Sequence, residues 1–282
     1  HMTAATLFLN GTNDHHGGHE RGQESFKLFR KGVPWSFAQQ ARGHHNTEKI
    51  GQNTRIWLNW NVLEKETFWP GHPSSQIVLD ASGVPKMVVE PASPQRVTKV
   101  EIFHAIKSPS SFNRSWRDAE AKVSDKGRWT ASLPVLNVKD YVFSFANLSY
   151  DNTVVRSTDF EAAIPSELGK AVATDKRSST LYTGDDGIGV WTDVAEVEGP
   201  GGIKGFRSTN KHRGSGTEQL ADPKWQAPEG TDLGFDFYCT QPVTLTFVAG
   251  NHYEGTIEIT ASDDWQEMIV DRKSLLNRHS KK

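Results

Sequence analysis

The first forty-five residues separate strand from helix by the spacing of their apolar positions. Thr6, Leu7, Phe8 and Leu9 run without interruption, as a buried strand does, and a turn-forming stretch, Asn10-Gly11-Thr12-Asn13-Asp14, follows. An amphipathic segment around Phe26, Leu28 and Phe29 reads as a short helix. Trp35 to Phe37 reads as a second strand leading into Arg42-Gly43-His44-His45. From Thr47 to Leu63, the residues Ile50, Ile56, Trp57, Trp60 and Leu63 recur at near-helical spacing, with Asn46 or Thr47 placed to cap the segment. Pro70-Gly71-His72-Pro73 punctuates the end of this alternating unit.

Beyond Gln76 the pattern changes to short strands, expected over 77–79, 86–89, 100–104, 129–133, 142–145 and 154–160. Turn residues at Ser82-Gly83, Asp125-Lys126-Gly127 and Asp151-Asn152 separate them. This rhythm predicts a β-sandwich of immunoglobulin or fibronectin type, with Trp116 to Ala119 and Tyr141 to Phe143 facing one core. Residues 163–175 read as a linker. Further strands are expected at 180–182, 189–191, 233–238, 243–248, 255–260 and 268–270, around a Gly-rich, polar stretch at 199–228 that reads as loops. The expected class is mainly β, in three parts: a partial α/β-hydrolase-like unit (3–72), an Ig/fibronectin-like sandwich (73–168) and a jelly-roll sandwich (176–282).

Composition narrows the function classes. A net charge of -2 with no long basic run argues against a nucleic-acid groove and against an anionic membrane surface. No apolar run approaches the roughly 20 residues that cross a bilayer. Nine Trp and fourteen Phe in an otherwise polar chain suit small β domains with aromatic cores. Cys239 is the single cysteine, which rules out an intrachain disulfide and reads as a buried strand residue. His1-Met2 reads as a cloning remnant.

The chemistry concentrates near the start. Asp14 directly follows the first strand, and His45 (or His44) follows the second. A carboxylate on one loop can orient and charge-stabilise an imidazole on the next, so that the imidazole takes a proton from a nucleophile. The run Leu-Phe-Leu-Asn-Gly-Thr-Asn-Asp-His-His-Gly, then Ala-Arg-Gly-His-His-Asn, then a helix and a sandwich carrying Trp-Arg-Asp-Ala, resembles the C-terminal part of bacterial α/β-hydrolases. The group it resembles is the acetylxylan-esterase and dienelactone-hydrolase-like proteins, often exported and joined to accessory β domains. The resemblance spans roughly residues 5–165. It implies hydrolysis of carboxylic esters or lactones, Asp14 as the triad acid and His45 as the base, with His44 in reserve. That family places a Gly-x-Ser-x-Gly elbow before the acid, and only a few residues stand before Asp14 here. Gly214-Ser215-Gly216 is not in a strand-to-helix elbow, so the nucleophile is missing or unidentified.

Other chemistries follow from the same residues. His15, His16 and His19 gather imidazoles beside Asp14, which suits Zn²⁺ and a metal-bound water as the attacking group. Asp185, Asp186 and Asp193 offer the hard oxygens that Ca²⁺ prefers, as accessory jelly rolls often use. Trp191, Trp225, Tyr253 and Trp265 offer flat rings for stacking on polysaccharide, which would make the chain a carbohydrate-binding fragment. An open edge on the first strand invites a homodimer. The lineage implies export to the periplasm or beyond.

Overall fold

The structure is a computed structural model that describes residues 4–14, 19–26, 28–29, 31–45, 47–66, 68–108, 110–124, 126–210, 214–250 and 252–280, with the backbone alone for 19–21. Contacts divide the chain into two compact units, His1–Ser178 with Glu218–Gln226, and Ser179–Thr217 with Ala227–Lys282. The segments 3–72 and 73–168 share the first unit.

The first unit begins as strand–helix–strand. β1 (Thr6–Gly11) and β2 (Trp35–Gln40) pair in parallel, Thr6 opposite Trp35 and Gly11 opposite Gln40, and α1 (His19–Phe26) lies in the crossover between them. Both faces of β1 are covered. The Phe8 ring lies 4.5 Å from that of Phe26 on α1. Leu7 packs against the buried cluster of Ile56, Trp57, Trp69 and Val154, and Leu9 against Ala38, Ile50 and Val155. A strand covered on both sides has no polar face to show, which is why its sequence is a continuous apolar run. The near-helical spacing after Thr47 gives a short 3-10 turn, Glu48–Ile50, and then α2 (Gln52–Asn61), whose Ile56 and Trp57 are buried.

The sandwich follows. β3 (Ser74–Leu79), β4 (Pro85–Glu90), β5 (Val97–Ile106), β6 (Arg117–Ala119), β7 (Lys122–Val123), β8 (Trp129–Ser132), β9 (Val142–Tyr150), β10 (Val155–Ser157) and β11 (Glu161–Ala163) form two sheets. One runs β3-β4-β8-β7. The other runs β10-β9-β5-β6, with β11 also on β9. Alternate residues meet between the sheets: Met87 and Val89 from one, Ile102, Ala146 and Leu148 from the other, all nearly inaccessible. The opposite face of β5 and β9 is covered too, by a cluster of Phe103, Trp116, Phe143 and Phe145. Trp116 and Phe143 therefore do share a core, as their sequence context suggested, whereas Tyr141 is half exposed.

Side chains of the sandwich complete the parallel pair. Gln39 N of β2 donates to Ser157 Oγ (2.8 Å), and Asn147 Nδ2 donates to Gln39 O (2.8 Å). Ser157 Oγ in turn donates to Asn147 Oδ1 (2.6 Å). On α2, buried Asn53 donates to Val155 O (2.6 Å) and accepts from Val155 N (2.9 Å). Buried backbone groups need partners, and here Gln39 of β2 and Val155 of β10 obtain them from side-chain amides and a hydroxyl, beside the ladders that β2 makes with β1 and β10 with β9.

Residues 163–175, expected as a linker, carry a short α3 (Pro165–Leu168) and then lie pinned, with Thr174 N and Asp175 N both donating to Val135 O. In the second unit, β12 (Trp191–Thr192) pairs with β15 (Gly216–Thr217), β13 (Val194–Glu198) with β14 (Lys204–Ser208), β16 (Leu233–Phe237) with β19 (Gln266–Val270), and β18 (Tyr253–Ile259) sits between β17 (Val243–Ala249) and β20 (Leu276–Asn277). The chain is thus mainly β. Residues 180–182 form no strand; Tyr182 there meets Trp191 (6.0 Å) and Phe206 (5.1 Å) edge to face. The Gly-rich stretch expected as loops contains β14 and β15. Cys239 lies past the end of β16 and is only partly buried, not inside a strand. Among the described residues no helix is long and apolar enough to cross a membrane.

Candidate acid–histidine site

The C-terminal ends of β1 and β2 bring two loops together. β1 ends at Gly11 and β2 at Gln40, so the residues after each strand leave the sheet on the same side. The loops touch through backbone: Thr12 N donates to Gln40 O (3.0 Å) and Asn13 N to Gly43 O (2.8 Å). Gly11 permits this. A Cβ there would lie 2.1 Å from Gly43 O and 2.2 Å from His44 O, well inside contact distance. No rotamer could relieve such a clash with backbone.

The pair that results is the one the sequence suggested. His45 Nδ1 lies 3.1 Å from Asp14 Oδ1, with the carboxylate side chain 14% exposed and the imidazole 55% exposed. His44 sits differently. Its Nδ1 lies 2.9 Å from Asn13 O, an acceptor, so Nδ1 carries the proton, and its ring packs 5.4 Å from Phe112. His44 is thereby fixed to the loop backbone, and His45 takes the carboxylate.

Asn13 holds the acid loop in place, a role the sequence did not reveal. Its side chain is buried and donates to Phe112 O (3.0 Å) and Arg114 O (2.8 Å), while its Oδ1 accepts from Thr12 Oγ1 (2.9 Å). The 112–114 segment is itself anchored. Arg114 is 1% exposed and lies 4.0 Å over the Phe143 ring and 5.1 Å over Phe160. On the base loop, Arg42 adopts a left-handed φ of 60°. Its N donates to Thr12 Oγ1 (2.9 Å), its Nε to Trp116 O (2.8 Å) and its guanidinium to Asp118 (2.7 Å). Both loops are tied to β6 and the segment before it, and so to the sandwich.

A strap from far down the chain joins this unit. Arg117 of β6 is buried and clamps Asp222 through Nε (2.6 Å) and a second nitrogen, and also bonds Asp175. Burial works against the charged guanidinium, but Asp222 and then Asp175 outweigh it and raise the Arg117 pKa above its usual value. Burial likewise pushes the Asp175 carboxyl up, and Arg117 more than offsets that, leaving it below the ordinary range. The strap also carries Glu218, whose carboxyl is pushed up by burial while the nearby His44 acts the other way.

The remaining candidates are placed as follows. His15 and His16 lie outside the described residues, and of His19 only the backbone, on α1, is described. Among the described residues no three His, Cys, Asp or Glu side chains gather as a metal cage. Asp186 is occupied as a cap, accepting from Thr183 N (2.6 Å) and Thr183 Oγ1 (2.8 Å), Asp185 lies in the same short turn, and Asp193 accepts from Asn210 (3.3 Å). Trp191 packs 4.5 Å from Phe206, and the Trp265 indole N–H donates to Pro200 O (3.1 Å). Trp225 belongs to the strap, 5.1 Å from the Arg117 guanidinium, while Tyr253 is 48% exposed. Ser215 donates to Asp193 O (3.1 Å).

No family model matches the chain, and no curated protein does. Among solved structures, the NEAT5 domain of IsdX2, a B. anthracis hemophore in complex with heme, is similar at a TM-score of 0.19 and 8% identity, over 34% of this chain and 96% of that one. A superposition at that score does not define a shared fold.

Proposed function

We propose that this chain carries the acid–base pair of a hydrolase acting on carboxylic esters or lactones, with Asp14 as the acid and His45 as the base. One observation supports the reading above others: a mostly buried carboxylate 3.1 Å from the Nδ1 of a half-exposed imidazole, each on the loop that follows one of two parallel strands. Asp14 accepts a hydrogen bond from Nδ1–H, which makes Nε2 the basic nitrogen of the ring, the one that takes a proton or attacks an acyl carbon. As positive charge builds on the ring, the carboxylate stabilises it. The resemblance to the acetylxylan-esterase and dienelactone-hydrolase-like lineage, with accessory Ig-like and jelly-roll domains, belongs to this same proposal. β1 is covered on both faces and has β2 on one edge, which suits a parallel sheet that continues past β1. In that reading the nucleophile is missing or unidentified in this chain.

The test uses an ester so activated that an assisted imidazole attacks it without a serine. Nitrophenyl acetate hydrolysis by the purified chain is expected to exceed that of both Asp14→Ala and His45→Ala, and to be indifferent to chelator. A rate equal in all three proteins, or one abolished by chelator, overturns the assignment.

A further inference from the structure

The edge of β1 that faces away from β2 carries backbone groups that no described residue satisfies. Thr6 N donates to Pro34 O and Thr12 N to Gln40 O, so in the parallel ladder the N–H and C=O of Thr6, Phe8 and Asn10 face β2. Those of Leu7 and Leu9 then point the other way. Among the described residues neither has a hydrogen-bond partner on that side. Gly11 is already served, since its N–H donates to Asn10 Oδ1 (3.0 Å) and its carbonyl accepts from Asp14 N (3.3 Å). The outer edge of β2 contrasts with this, because Gln39 meets Ser157 Oγ and Asn147 Nδ2 there. The open groups thus lie on either side of Phe8.

Nothing in the strand discourages pairing. Edge strands are ordinarily blunted by charged side chains, proline or a bulge. Thr6–Gly11 holds no charge and no proline, and its register on β2 runs unbroken from Thr6 opposite Trp35 to Gly11 opposite Gln40. Both faces of β1 are covered, by Phe26 on one side and by the clusters around Trp57 and Ile50 on the other. The strand is therefore held flat in its sheet, with the edge alone on offer.

We propose that a second copy of this chain takes the edge, β1 pairing antiparallel with β1 about a two-fold axis that passes Phe8 at right angles to the sheet. In that register the Leu7 N–H meets the carbonyl of the partner's Leu9, the Leu9 N–H meets that of the partner's Leu7, and the symmetry repeats both bonds. Every open group between Thr6 and Gly11 is then used. Phe8 faces the partner's Phe8 as a non-hydrogen-bonded pair, the closer kind, where aromatic side chains add to the pairing. Two copies in parallel lack this fit. The slanted bonds of a parallel ladder offset one strand against the other, so a two-fold cannot match identical edges. The pairing uses neither Asp14 nor His45, and it sends the two acid–histidine loops to opposite ends of the joined sheet. In the longer parallel sheet that the hydrolase reading suits, another strand takes this edge; in the chain by itself, its copy does.

The test is a dilution series of the full chain in the analytical ultracentrifuge, with amide exchange along β1 followed by NMR at each concentration. A reversible dimer is expected, and exchange at Leu7 and Leu9 should slow by about tenfold or more from the dilute to the concentrated sample. Phe8 and Asn10, bonded to β2, should stay protected throughout. In a mixture of isotope-labelled and unlabelled chains, a contact between the Phe8 α-protons of the two copies reports the register. Leu9→Pro removes an outward N–H at an edge position that tolerates proline, and should weaken the dimer by about tenfold or more while Phe8 and Asn10 keep their protection. A monomer at every concentration, a dimer in which Leu7 and Leu9 exchange freely, or a dimer without the Phe8 contact overturns the proposal. Hydrolysis of nitrophenyl acetate per chain should be equal in monomer and dimer, which separates failure here from failure at Asp14 and His45.

Discussion

Replacing Arg117 by Met tests how the strap is held. The guanidinium is 9% exposed and its two carboxylate partners, Asp175 and Asp222, are 7% and 1% exposed. Met keeps most of the volume but removes the charge, and with it the guanidinium's contact over the Trp225 ring, so two buried carboxylates lose their counter-ion together. Breaking a buried pair by removing one partner costs about 3–5 kcal/mol. For a unit of this size each kcal/mol moves the midpoint by about 2–4 °C, so the melting temperature should fall by roughly 6–20 °C at pH 7. Calorimetry on both proteins measures it directly, and protease cleavage within 218–226 should accelerate in the variant. The pH dependence carries the sign. The folded Asp175 pKa lies below its unfolded value, so its stabilisation is complete above that unfolded value, about 3.9, and is lost as pH falls through the lower folded one. The gap between wild type and variant should stay constant from pH 7 to about 5 and close in stronger acid. A midpoint shift under about 2 °C at pH 7, or a gap that widens on acidification, would refute the clamp.

Gly11→Ala should lower stability by about 1–3 kcal/mol or more, because the new methyl meets the Gly43 and His44 carbonyls and forces the loops apart; denaturant unfolding shows it, and an unchanged midpoint would contradict the close approach. Asn53→Ala strips both partners from the Val155 backbone and should cost about 2 kcal/mol or more, with faster amide exchange at Val155 as the local sign. His104 remains neutral in the folded state down to about pH 3, while the unfolded residue takes a proton below 6.5, so it destabilises the fold as pH falls through that window. A His104→Leu variant should therefore lose stability on acidification less steeply, by about 1.4 kcal/mol per pH unit; parallel stability curves would rule this out.

What could be read in the sequence was local. β1, β2, α2 and the long sandwich strands announce themselves through apolar spacing, whereas the turn after β1 pointed at Asp14 only together with His44-His45 after β2 and the resemblance those residues carry. The short strands β6, β7 and β11 did not announce themselves, since two or three residues carry no period. Asn13 shows why the rest of the site was hidden. Its value lies in the carbonyls of Phe112 and Arg114, some hundred positions away, and a lone asparagine in a Gly-rich turn gives no sign of such partners. Arg117 and Asp222 are equally remote from each other. The choice between His44 and His45 was open for a related reason. Adjacent residues share every sequence property, and only the geometry assigns a carbonyl to one and a carboxylate to the other.

The most direct measurement is the ¹⁵N chemical shift of the His45 ring nitrogens at neutral pH, in the wild type and in Asp14→Ala. With the carboxylate holding the Nδ1 proton, the wild type should show a protonated Nδ1 and an unprotonated Nε2, and loss of Asp14 should shift the tautomer toward Nε2–H while His44 stays as it was. A His45 tautomer identical in both proteins would mean that Asp14 does not orient it, and the acid–base pair at the centre of this account would not stand.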